Sequence, residues 1–345
     1  MPRPLFDEFP ALRGMVPHRA FASLPTPVEP LPAAPYSWIK RDDLTHPDYG
    51  GNKLRKLEFV IADALARKKR HLVSFGAIGT NHGVATALIC READIACTLL
   101  LFDQPVTPTV QRNLKLMQAL GARLIHTRSL PRTLARFYLN GWRLDPGSHF
   151  VFAGGSGIAG TLGFVNAALE LREQIQRGEL PRPAAIYCPV GSGSTLAGLT
   201  LGMDIASLPI QVVGVRVFPA RLGPFPACTA GSVYNLMRRT RTFLMNSLRR
   251  SLPPPSRPVL LDRYYGGGYG VDTPEASAAR ECFAREGIQL EPTYTSKAAA
   301  AFLERQETGH GPVLFWNTCN SRDTSELEAQ AEPEALPASL RRILQ

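Results

Sequence analysis

Gly50-Gly51-Asn52-Lys53-Leu54-Arg55-Lys56-Leu57-Glu58-Phe59 reads as a tight turn on two glycines that runs straight into an apolar-periodic helix. Lys53 therefore falls in the first helical turn, where unpaired backbone N–H groups and the macrodipole disfavour a second positive charge. An amine in that place gives up its proton more easily, and a neutral amine can attack a carbonyl carbon. The plainer alternative is a surface lysine in a basic helix, with Arg55 and Lys56 as neighbours. Three further stretches decide between the two.

The first is His71-Leu72-Val73-Ser74-Phe75-Gly76-Ala77-Ile78-Gly79-Thr80-Asn81-His82-Gly83-Val84-Ala85. A short apolar run ends in glycines, a polar triplet follows, and a small-residue helix begins. Ligands bind at such strand ends beside a helix N-terminus. Thr80 offers a hydroxyl, Asn81 an amide, and the backbone N–H groups suit a carboxylate. An ordinary N-cap would explain one polar residue, not three in a row with His82 among them.

The second is Ala185-Ile186-Tyr187-Cys188-Pro189-Val190-Gly191-Ser192-Gly193-Ser194-Thr195-Leu196. An apolar strand enters a Gly/Ser loop and then an apolar helix. Gly191 and Gly193 let the backbone approach an anion, while Ser192, Ser194 and Thr195 add hydroxyl donors, so the loop reads as a phosphate cup. A nucleotide loop is the rival, but the chain has no G-x-x-x-x-G-K-[ST] and the spacing is not G-x-G-x-x-G. The next apolar run, 210–217, ends without the acid that a dinucleotide's ribose needs. A free-standing phosphate, as on a phosphorylated cofactor, fits better. The third stretch joins Leu290-Glu291-Pro292-Thr293-Tyr294-Thr295-Ser296-Lys297 with Val313-Leu314-Phe315-Trp316-Asn317-Thr318-Cys319-Asn320, a buried-type strand ending in small polar residues.

In this order, these stretches resemble the tryptophan-synthase-β group of pyridoxal-phosphate enzymes, most closely the 1-aminocyclopropane-1-carboxylate deaminase and D-cysteine desulfhydrase family. Lys40-Arg41-Asp42-Asp43-Leu44 followed by Gly50-Gly51-Asn52-Lys53-Leu54-Arg55-Lys56 looks like that family's lysine motif. Ala153-Gly154-Gly155-Ser156 with Gly160-Thr161-Leu162-Gly163-Phe164, and the stretch from Tyr264 to Gly270, are further family-like segments. The resemblance spans roughly residues 10–325. It implies an α/β, two-domain open parallel-sheet fold (fold type II), with a larger domain from 1–56 plus 161–330 and a smaller one from 57–160. It also implies pyridoxal 5'-phosphate carried on Lys53, with its phosphate on residues 191–195 and its phenolic oxygen near Asn81. The substrate carboxylate would dock on Thr80, Asn81 and His82. Lys53, Tyr294 and Thr80 would be catalytic, Tyr264 a further substrate contact, and Thr318 the partner of the ring nitrogen. A homodimer is the family pattern.

A hydroxyl beside the ring nitrogen leaves that nitrogen largely neutral. This favours β-elimination, where a leaving group drains the negative charge quickly, over transamination. The implied reaction is loss of a β-substituent from a small amino acid, giving a 2-oxo acid and ammonia, as in D-cysteine desulfhydrase. Gly79-Thr80 stands where the family carries glutamine then serine, and Asn317, Cys319 and Asn320 replace a histidine and two glycines. Thr295 stands where the ring-opening deaminase has a glutamate, which argues against cyclopropane opening. Racemisation, β-replacement and a non-catalytic homologue stay open.

Composition agrees. With 345 residues, 44% of them hydrophobic, the chain is long enough for a large core in one or two α/β domains. No stretch is apolar enough to cross a membrane, and the first residues lack a signal-peptide profile. The six cysteines show no paired spacing, so the reading is a reduced cytoplasm and no metal site. The net charge of +10 gathers partly in a basic insertion, 218–262, whose middle reads as a packed helix with an exposed basic side, with a lid over the site, a membrane-surface helix and a solvated basic face as the alternatives. No nucleic-acid motif accompanies it. Strands are predicted at 71–75, 96–102, 123–126, 185–190, 210–217 and 312–316, with helices such as 110–120 and 273–286 between them. Repeated βα order predicts a parallel sheet. Residues 331–345 read as a charged surface tail.

Overall fold

A computed structural model describes residues 3–222, 224–308 and 311–345. It contains a six-stranded sheet in the order Val28–Pro30, Ser37–Arg41, Val313–Asn317, Ala185–Val190, Gln211–Arg216, Val259–Leu261. Only the first pair is antiparallel. A four-stranded sheet, Arg123–Arg128, Ala96–Phe102, His71–Ala77, Ser148–Phe150, is parallel throughout. Parallel strands are covered on both faces and so read as unbroken apolar runs. Ala185–Val190 and Val313–Asn317 are buried at every position. The helices Lys53–Ala66, Ile158–Gln176 and Ser194–Ile205 pack on one another in sequence, which brings the start of the first to the strand ends of both sheets.

Ser37–Arg41 is an interior strand that its own composition conceals, since it carries Lys40 and Arg41. Lys40 is tolerated because it joins a buried ion cluster. Its ammonium donates to Glu170 Oε1 at 2.5 Å, to the Thr26 carbonyl at 2.8 Å and to Gln174. Arg55 lies between Asp42 and Glu170, with Nε 2.9 Å from Asp42 Oδ1 and Nη1 2.9 Å from Glu170 Oε2. Trp316 Nε1 donates to Asp42 Oδ2 at 2.7 Å. Burial alone would push the Glu170 carboxyl up, but Arg55 and Lys40 outweigh it and hold it at about 2. That contribution to stability is complete above the ordinary carboxylate range and is lost as pH falls towards 2. Replacing Arg55 by methionine leaves two buried carboxylates with one cation. The expected destabilisation is about 3–5 kcal/mol, the usual cost of orphaning a buried charge, read from the denaturant midpoint at constant m-value.

The basic insertion contains the helix Ala230–Leu248, begun by a reciprocal cap between Thr229 and Ser232. Val233, Met237, Thr240 and Leu244 form its buried stripe, packed on Ser194–Ile205 and Ile158–Gln176, while Arg238 and Arg239 face outward. Ahead of it, Arg221–Leu222 pairs with Phe225–Pro226 as a short ribbon. The C-terminal segment is more than a surface tail. Its helix Ala338–Leu344 and the turn before it insert Leu340 and Leu336 into the core around the smaller sheet. The apolar side chains there outweigh the charges that dominate its sequence. All six cysteines are free, and Cys90, Cys97, Cys188 and Cys228 are buried. Among the described residues no helix is long and apolar enough to cross a membrane.

Candidate active site

A cavity of about 440 Å³ opens at the carboxyl ends of strands from both sheets. Lys53 reaches it from the first residue of the helix Lys53–Ala66. The turn before it needs glycine. Gly51 has φ +116°, and a Cβ there would lie 3.0 Å from the Thr318 carbonyl. The turn is stitched to the loop after Val313–Asn317, with Asn52 N donating to Thr318 O at 3.3 Å and Gly50 N to Asn320 Oδ1 at 2.7 Å. Asn52 Nδ2 also donates to Thr195 Oγ1 at 3.1 Å. The lysine turn, the 317–320 loop and the glycine cup are thus one hydrogen-bonded unit.

The Lys53 ammonium is brought down to about 8, chiefly by burial, with the Glu291 carboxylate opposing. The sequence assigned this shift to the helix N-terminus, whereas the surroundings assign most of it to desolvation. Lys56 also lines the cavity, and burial with the nearby Lys53 charge lowers it strongly. It is engaged, donating to the Gly154 carbonyl at 3.3 Å and lying over the Phe164 ring.

Thr80 caps the helix Asn81–Glu92, its hydroxyl accepting from Gly83 N at 3.2 Å. Asn81 Oδ1 accepts from Asn113 Nδ2 at 2.8 Å and from the Tyr49 hydroxyl at 3.2 Å, which fixes the amide at the cavity wall. Burial, then Lys53 and Lys56, lower His82 to about 3, so its ring is neutral; its Nε2 donates to Ser74 Oγ at 3.0 Å, and the Ser74 hydroxyl donates in turn to the Val151 carbonyl at 2.9 Å. All three side chains line the cavity.

Gly191, Ser192, Gly193 and Thr195 line the same cavity. Gly193, at φ +88°, begins the helix Ser194–Ile205, and no side chain caps that end. Its first-turn N–H groups are donors without a side-chain acceptor, the usual anion site of a helix N-terminus. Ser194 belongs to the wall behind the cup. It is fully buried, does not line the cavity, and its Oγ accepts from Ser156 Oγ at 3.2 Å.

Tyr294 and Thr318 line the cavity as well. Tyr264 does not. It sits in the 3-10 turn Arg263–Tyr265, and its hydroxyl donates to Glu304. Gly266 and Gly267, both at positive φ, then reverse the chain and bring Tyr269 to the cavity in its stead. The Tyr269 and Tyr294 hydroxyls are 2.5 Å apart, and burial pushes Tyr269 up to about 12. The sequence reading missed Tyr269 because only the turn distinguishes it from Tyr264. It also missed Glu291, whose carboxylate accepts from the backbone N–H groups of Thr293 at 2.8 Å, Tyr294 at 2.6 Å and Thr295 at 3.0 Å. Burial still holds its carboxyl above the usual range. An acid and proline ahead of the helix Thr295–Thr308 was the available signal, since acids favour helix starts.

A family model described as pyridoxal-phosphate dependent enzyme matches residues 21–318. The chain belongs to the pyridoxal-phosphate-dependent enzymes. Among solved structures it is similar to one titled an ACC deaminase homologue, at 28% identity and a TM-score of 0.77, covering 94% of this chain and 98% of that one. It shares the fold of a threonine deaminase from T.th., at 19% identity and a TM-score of 0.61, covering 93% and 98%. Pyridoxal 5'-phosphate is the cofactor of this family, and the cavity has the chemistry it requires. An amine that is half neutral near pH 8 and an uncapped helix N-terminus of the kind that holds phosphate line the same cavity.

Proposed function

We propose that this pyridoxal-phosphate enzyme is a lyase that removes a β-substituent from a small amino acid and releases a 2-oxo acid and ammonia, as a D-cysteine desulfhydrase does. The observation that carries the reading is a base and an acid in one cavity. Lys53 is an amine brought down to about 8, and Tyr294 is a hydroxyl hydrogen-bonded to a second one, Tyr269. Bound pyridoxal phosphate would supply the electron sink for breaking the bond to the α-proton.

In this reading Lys53 holds the cofactor and, once displaced, takes the α-proton. The N–H groups after Thr80, with Asn81, orient the substrate carboxylate. Gly191, Ser192, Gly193 and Thr195, with the N–H groups that open the helix behind them, hold the phosphate. Tyr294 delivers a proton to the departing group and is resupplied by Tyr269. The neutral His82 adds no charge to compete with the amine. Thr318, whose backbone is tied to the lysine turn, would meet the ring nitrogen with a hydroxyl. The smaller sheet with residues 57–160 would be one domain, and the larger sheet with 1–56 and 161–330 the other, in a homodimer. The neighbour titled an ACC deaminase homologue supports release of ammonia.

Two measurements test this. Both enantiomers of cysteine and of β-chloroalanine are offered to the cofactor-loaded enzyme, and 2-oxo acid and ammonia should appear in a one-to-one ratio. Recovery of the opposite enantiomer without ammonia would replace elimination by racemisation. Thr318→Asp should keep the ring nitrogen protonated and strengthen the sink. Racemisation or transamination should then rise at least several-fold relative to elimination. An unchanged product ratio in a folded, cofactor-loaded variant would move the ring-nitrogen contact away from Thr318.

A further inference from the structure

The cavity has two halves of opposite character. Its charged lining residues, Lys53, Lys56 and Glu291, sit with the hydroxyls and helix ends already described. The remainder is apolar. Leu130, Leu134 and Tyr138, spaced at i, i+4 and i+8, present one stripe of the helix Leu130–Leu139 to it. Phe75 and Phe102 reach it from neighbouring strands of the smaller sheet, and Phe152 stands against Phe75 edge to face at 5.0 Å. Phe218 and Leu222, at the start of the insertion, also line it, with Phe218 standing edge to face on Tyr269 at 5.6 Å.

Phe75 belongs to the core around the smaller sheet, whereas the others keep open surface. Tyr138 is 54% exposed and Phe152 43% exposed, and Leu130, Leu134 and Phe102 are only partly covered. Apolar surface left open along a cavity and its mouth is stabilised by an apolar occupant. Rings standing edge to face invite another ring in the same arrangement. Among the described residues no charged side chain lines this half, so an ionised substituent would be left without a lining partner there.

We propose that this apolar half is a side-chain subsite, and that the substrate is an amino acid whose β-carbon carries an uncharged aromatic or branched aliphatic group through the sulfur that departs. The inference rests on the elimination reading above. The Cα–H proton passes to the Lys53 amine, and the electron pair of that bond becomes the Cα–Cβ double bond. The Cβ–S bond breaks with its pair on sulfur, which takes a proton from Tyr294 and leaves as a thiol. One water then hydrolyses the released enamine. One S-substituted cysteine and one water thus give one thiol, one three-carbon 2-oxo acid and one ammonia, with no net oxidation.

The test uses the cofactor-loaded enzyme with both enantiomers of S-benzylcysteine and S-methylcysteine. It adds a pair that cannot lose a β-group, 2-amino-5-phenylpentanoate and 2-aminobutanoate, bound calorimetrically. The preferred enantiomer of S-benzylcysteine should exceed its S-methyl counterpart in kcat/KM by on the order of 100-fold, as an apolar pocket discriminates. 2-Amino-5-phenylpentanoate should bind more tightly than 2-aminobutanoate by a similar factor. Leu134→Asp should bring both ratios below about 10, and so should Tyr138→Asp, whose exposed position leaves folding intact. If the ratios are near one, or survive both substitutions, the subsite is overturned, while elimination from the small substrates would still stand. If the apolar ligands bind selectively and lose that selectivity in the variants, yet no thiol or ammonia appears, the subsite holds and the elimination reading falls.

Discussion

Lys53→Ala is expected to yield a folded protein from which borohydride no longer traps a pyridoxyl group, with turnover reduced by at least about 10²–10⁴-fold, the range for loss of a positioned proton-transfer group. In the wild type, reduction followed by peptide mapping should place the pyridoxyl group on the peptide containing Lys53. The alternatives are chemically poorer. Lys56 is tied to Gly154, and Lys297 donates to the Tyr265 carbonyl at 2.6 Å and the Gly268 carbonyl at 3.3 Å. A pyridoxyl group on either would transfer the role and break the assignment. The pH dependence follows from burial. The Lys53 amine is lowered from its ordinary 10.5 to about 8, so cofactor capture by the apoprotein should rise through pH 8. Between pH 8 and 10.5 the unfolded chain binds the extra proton, so this group's contribution makes stability rise with pH there. A capture midpoint near 10.5 would mean that Lys53 is fully hydrated.

Much of this was legible in the chain because local pattern and tertiary demand coincide. The strands Ala96–Phe102 and Ala185–Val190 stand where unbroken apolar runs put them, because parallel strands are buried on both faces. The helix start at Lys53 follows from Gly50 and Gly51, and the cup follows from Gly191 and Gly193. What escaped needed partners distant in sequence. Ser37–Arg41 conceals a strand because Lys40 is neutralised by Glu170, 130 residues away. The shift on Lys53 is set by burial, which no single helix reveals. Tyr264 and Tyr269 differ in placement, only the second lining the cavity, with the positive-φ turn at Gly266 and Gly267 between them. The apolar half of the cavity gathers side chains from position 75 to position 222, and each alone reads as ordinary core.

Gly193→Asp should remove the cofactor without unfolding the chain. Gly193 opens the helix Ser194–Ile205 at φ +88°, and the nearest atom to an added Cβ would be Val233 Cγ2 at 3.2 Å. That contact involves a side-chain methyl and can relax. An aspartate also tolerates the left-handed region better than most residues, and a carboxylate is welcome at a helix N-terminus. The fold should therefore persist, with a melting temperature within a few degrees of the wild type. The same carboxylate competes for the N–H groups that a phosphate needs. A like charge about 4 Å from the phosphate costs about 4 kcal/mol at the effective dielectric of a partly solvated site, or roughly 10³-fold in affinity. Cofactor content after dialysis should fall from stoichiometric to near zero, read by absorbance and by release in alkali. Gly193→Ala separates the two causes. It keeps the backbone penalty of about 1–2 kcal/mol but adds no charge, so it should weaken retention by roughly tenfold. Equal losses in both variants would assign the effect to the backbone alone. Full retention in Gly193→Asp would show that the phosphate is held elsewhere, and with it the orientation of every group argued to act on the substrate would have to be redrawn.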